Sequence, residues 1–91
     1  MTSPVNPAQQ QLAASLGKAL ARMEEIGNAL LEHFDSFNDD QASSAYLVLE
    51  DLATRTVLFQ NMLRQPLDNP DMASLAGAML TDTQSLFQKF A

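Results

Sequence analysis

This sequence predicts an all-α fold, an elongated antiparallel three-helix bundle running up, down and up. Three observations carry that expectation. Apolar residues recur at steps of three and four through most of the chain, two short segments rich in Asn, Asp and Pro interrupt the period, and nothing alternates as a strand would. The chain has 91 residues and three glycines, with no Asn-Gly or Asp-Gly pair to mark a hairpin.

The first helix is expected over 7–35. Asn6 is placed to cap it, accepting a first-turn N–H, and Pro7 supplies a φ that is already helical. Leu12, Leu16, Ala19, Leu20, Met23, Ile26, Leu30, Phe34 and Phe37 then fall in one stripe, with Lys18, Glu25, Glu32 and Asp35 outside it. Gly17 and Gly27 each cost up to about 1 kcal/mol relative to alanine. Gly27 lies on the apolar side, where it would let a neighbour approach closely. Residues 1–6 are expected to form a flexible N-terminal segment and 7–91 a single helical domain.

The second helix is expected over 39–64. Asn38 is its cap and Gln41 the capping-box partner, while Asp39, Asp40 and Arg64 suit the two ends of the helix dipole. Its main face comprises Ala45, Val48, Leu49, Leu52, Ala53, Thr56, Phe59 and Leu63, broadened by Tyr46 and Val57. Leu47 and Leu58 do not belong to that face. Eleven residues apart, they project in nearly the same direction, with Met62 close to them.

Gln65-Pro66 stops the second helix, because the residue before proline is driven from helical geometry. Asn69-Pro70 starts a third, expected over 70–90, with Met72, Leu75, Ala76, Met79, Leu80, Leu86, Phe87 and Phe90 on its apolar side. The Asn-Pro start occurs twice, but no internal repeat extends beyond it. Both connections are short, so sequential helices fold back on each other. Helices of this length are about 30–43 Å long, whereas a compact globule of this chain length has a radius of gyration near 12 Å. A rod is expected.

The chemistry of catalysis is thin. There is no cysteine, so thiolate nucleophiles and thiolate metal sites are out. His33 is the only histidine and reads as a boundary residue near a helix end. The segment from Asp35 to Asp40 superficially suggests a calcium loop, but Phe37 takes a ligand position, the central glycine is missing and Tyr46 stands where the final glutamate belongs. No glycine belongs to a phosphate-cradling loop. The expectation is a protein that is no enzyme and uses no cofactor, metal or small-molecule substrate.

A net charge of −6, from five Lys plus Arg against eleven Asp plus Glu, argues against nucleic acid and against anionic membrane surfaces. No apolar run approaches the roughly 18 residues of a membrane span, and the N-terminus has neither the charge nor the apolar stretch of a cleavable signal. A cytoplasmic location is expected, with signal-less export left open.

What remains is surface. Leu31, Leu47, Leu58 and Met62 exceed what a three-helix seam requires and are expected to bind a partner. Six acids lie between positions 24 and 40 with no Lys or Arg among them, and of these Glu32, Asp35, Asp39 and Asp40 are expected to form an acidic docking edge. Met23, Met62, Met72 and Met79 add the adaptability of thioethers. The leading expectation is a small acidic interaction module (an adaptor, assembly factor or secretion-type chaperone) that receives a partner helix. Small acidic helical chaperones of bacterial secretion systems share this size and charge, a likeness of type that no motif supports. Two other readings stand beside it: a self-assembling structural protein, with a homodimer as the simplest form, and an acidic inhibitor or antitoxin.

Overall fold

A computed structural model of the chain describes residues 7–64 and 69–90. The expected flexible segment 1–6, its Asn6 cap and the Gln65-Pro66 stop lie outside the described residues. Three helices follow in order: α1 (Pro7–Glu32), α2 (Asp39–Arg64) and α3 (Pro70–Gln88), with a 3-10 turn at Phe34–Ser36 between the first two. The molecule is a rod of 59 × 21 × 20 Å with a radius of gyration of 15.6 Å. α1 is its spine. α2 and α3 each pack along α1 and touch each other far less.

The local signals for the boundaries act as expected at α2 and α3. Asn38 and Gln41 form a reciprocal capping box: the Gln41 N–H donates to Asn38 Oδ1 at 2.8 Å and the Asn38 N–H to Gln41 Oε1 at 3.0 Å. Asn69 caps α3, accepting from the N–H groups of Asp71 at 2.9 Å and Met72 at 3.4 Å. α1 ends three residues sooner than the periodicity suggests. Its last turn carries no base, and Glu32 and Asp35 oppose the dipole there. The chain instead tightens into the 3-10 turn, which the Ser36 hydroxyl closes by donating to the His33 carbonyl at 2.7 Å. Phe34 and Phe37 meet edge to face across it at 6.1 Å. α3 ends at Gln88 rather than 90, its last residues continuing as tight i→i+3 turns at Lys89 and Phe90.

The core follows a heptad-like period. Leu16, Ala19, Met23 and Ile26 are buried on α1, Ala45, Leu52, Phe59 and Met62 on α2, and Ala76 and Thr83 on α3. Steps of three, four and seven keep these residues on one line along each helix, so each helix offers a narrow seam rather than a broad face.

That seam corrects several expectations. Met62, expected beside Leu47 and Leu58 on the open surface, is buried. It stands seven residues after Arg55, on the same line of α2, and belongs to the buried core cluster. Leu63, expected on the main face of α2, and Tyr46 and Val57, expected to broaden it, are exposed, as is Leu75 on α3. An apolar sector broader than one seam leaves its outer members in water. Thr83, which has no place on an apolar list, is completely buried on the α3 line that runs from Ala76 to Phe90.

Candidate functional site

Burial separates the residues expected to bind a partner. Leu31 remains 62% exposed, Leu47 64% and Leu58 40%, whereas Met62 belongs to the core and leaves the set. Glu32, Asp35, Asp39 and Asp40 are all exposed, and none makes an ion pair among the described residues. They do not converge on one spot. Asp40 lies against the end cavity lined by Leu30, Phe37, Val48 and Phe90, under the end of α3. Asp39 stands one turn before Ser43 and two before Tyr46, on the outer face of α2.

Two apolar surfaces result. The first is a shallow depression on the outer face of α2, formed by Ala42, Ser43, Tyr46 and Leu47 with Phe34 folded over from the turn. Tyr46 is 56% exposed, and the phenol donates toward the Glu50 carboxylate. That hydrogen bond, reinforced by the charge of Glu50, raises the Tyr46 pKa above its ordinary value. The second surface is a groove of about 550 Å³ between α1 and α2, on the side away from α3. Met23 and Leu52 form its floor, Leu20, Gly27, Leu49 and Thr56 its walls, and Ala21, Glu24, Asn28, Leu31, Ala53 and Gln60 its rim. Leu31 thus belongs to the groove, while Leu47 and Leu58 lie elsewhere on α2.

Sequence reasoning missed the groove, although its signal was present. Ala21, Glu24, Asn28 and Leu31 repeat at steps of three and four, a second period on α1 parallel to the core stripe. Two of the four, Glu24 and Asn28, are polar, so they do not read as a stripe. Gly27, expected to admit a close neighbour within the fold, has a different setting. A Cβ built there would meet only Leu49 Cδ2, at 3.9 Å, an ordinary contact. Gly27→Ala is therefore expected to stabilise the protein by about 0.5–1 kcal/mol, the usual helix-interior difference. A shift of the urea midpoint at constant m checks it, and a lower midpoint would show that α1 and α2 approach more closely than described.

A polar cluster absent from the expectations ties α2 to α3. Arg55 occupies a seam position of α2. It donates to Asp51 Oδ1 at 3.1 Å on its own helix, and across the bundle to Asp82 Oδ2 at 2.7 Å and Thr83 Oγ1 at 2.7 Å. Partial burial acts to lower its pKa, but the hydrogen bonds to Asp82 and Asp51 outweigh that and raise it, so the guanidinium stays charged. Thr83 is satisfied by this arm, and no described buried side-chain polar atom lacks a partner.

His33 lies in the turn after α1 and is exposed, beside Arg22, Glu25 and Ser36 in a cavity under Phe90. Among the described residues, no three His, Cys, Asp or Glu side chains are grouped so as to hold a metal ion. No described helix is long and apolar enough to cross a membrane. The chain matches no protein-family model, no curated protein and no solved structure.

Proposed function

We propose that the protein is a small acidic interaction module that binds a helix of a partner protein through the apolar faces its own bundle leaves open, in the manner of an adaptor, assembly factor or secretion-type chaperone. The observation that carries this reading is the exposure of large apolar side chains around the α1–α2 hairpin. Leu31, Tyr46 and Leu47 each keep more than half of their surface in water, among acids that have no ion-pair partner in the described residues. Burying a leucine side chain contributes about 1.5–3 kcal/mol, so a few such residues support specific binding. The unpaired acids would add association rate and orientation rather than raw affinity.

A second reading, self-assembly, rests on Leu47 and Leu58. They share one direction on α2 and lie apart from the α1–α2 groove, so a two-fold axis would pair them with their copies. Light scattering after size exclusion, at two concentrations tenfold apart, separates the readings. The module is expected to be monomeric at both. A dimer that persists on dilution, and that Leu47→Glu with Leu58→Glu converts to monomer without loss of helicity, would replace the module reading with the self-assembling one.

A further inference from the structure

Resting on the module reading above, we propose that the α1–α2 groove is the seat for one amphipathic helix of a different protein, about three turns long, whose apolar stripe is flanked by Lys or Arg. The length comes from the groove's apolar ends. Leu20 and Leu31 are eleven residues apart on α1, about 16 Å along the axis. The depth comes from its small residues. Helix axes pack 8–10 Å apart, closer where the side chains between them are small, and Ala21, Gly27 and Ala53 clear the space between the larger walls. Gly27 leaves room there: a Cβ in its place would meet only Leu49 Cδ2, at 3.9 Å. Leu31 stands at one end as an anchor with most of its side chain in water.

Charge identifies the occupant. Glu24 is on the rim, Glu32 follows Asn28 by one turn, and no Lys or Arg lines the groove. The chain's bases are directed elsewhere. Lys18 and Arg22 line the opposite cleft, between α1 and α3, Arg55 is held by Asp51 and Asp82, and Arg64 and Lys89 stand at the ends of α2 and α3. A second copy of this acidic chain would bring Glu24 and Glu32 against their like, whereas a basic-flanked helix would be drawn in and oriented.

The test uses two stapled peptides of about 14 residues with the same Leu/Ala stripe, one flanked by Lys and one by Glu, titrated into the 15N-labelled protein. The Lys peptide is expected to shift the amides of Gly27, Asn28, Leu31, Leu49 and Ala53, and the Glu peptide to leave them in place. Gly27→Leu fills the groove from a helix-favouring residue. It is expected to keep the helical signal and to weaken the Lys peptide by at least about tenfold, 1.4 kcal/mol. Three outcomes overturn the proposal. Shifts confined to Leu47 and Leu58 would move the site while leaving the module reading intact. Groove shifts that grow with protein concentration alone would make the occupant a second copy. Silence at millimolar Lys peptide would refute the groove, and the module reading would then stand or fall on the light-scattering result.

Discussion

Phe59→Ala is expected to be the most destabilising single change in the bundle. Phe59 is completely buried in the C-terminal part of the α2 seam, within the cluster that includes Leu16, Met23 and Ala76. Removing a buried phenylalanine ring costs about 3–5 kcal/mol through lost transfer energy and the cavity left behind. A chain of this size has roughly 5–14 kcal/mol of total stability, so the variant loses a large part of it. Thermal unfolding followed at the helical band should shift down by about 15–30 °C. Leu58→Ala is the control, one residue away and 40% exposed. It should cost under about 1 kcal/mol. Equal costs at the two positions would mean that α2 is rotated from the orientation described.

Arg55→Ala is expected to cost about 2–3 kcal/mol, and the reason is Thr83 rather than the ion pairs. Asp82 is mostly exposed and Asp51 nearly half exposed, so solvent screens both pairs and each contributes about 0–1 kcal/mol. Thr83 is fully buried, and without Arg55 its hydroxyl loses its cross-helix donor in a place water does not reach, a penalty of about 1–3 kcal/mol. Arg55→Met together with Thr83→Val removes both halves of the bond while keeping apolar volume, and should recover most of the loss. Urea denaturation of the four members of this cycle measures the coupling. A coupling energy near zero would show that the contact between Arg55 and Thr83 contributes nothing to holding α3.

The groove and the latch that Arg55 makes with Asp82 and Thr83 differ in how visible they are before folding. The groove's α1 rim could have been found by looking for a second period beside the core stripe. Its depth depends on α2 placing Leu49 and Ala53 opposite, which the period of α1 does not contain. The latch joins residues 28 positions apart, and Arg55 reads as one more charged residue until α3 lies beside it.

The sequence by itself determined the number of helices, their approximate limits and the elongated shape. Those properties rest on neighbours within four residues: the Asn38–Gln41 capping box, the Asn69-Pro70 start, and stripes repeating at three and four. Only the tertiary structure decided the rotation of each helix about its own axis. An apolar sector broader than one seam tolerates several rotations. The packing of α2 and α3 along the common spine α1 selected the one that buries Met62 and Thr83 and leaves Tyr46, Leu63 and Leu75 in water. The same rotation turned Leu31 toward the α1–α2 groove and Arg55 toward α3, because a side chain's neighbours across the bundle are fixed only when the helices dock.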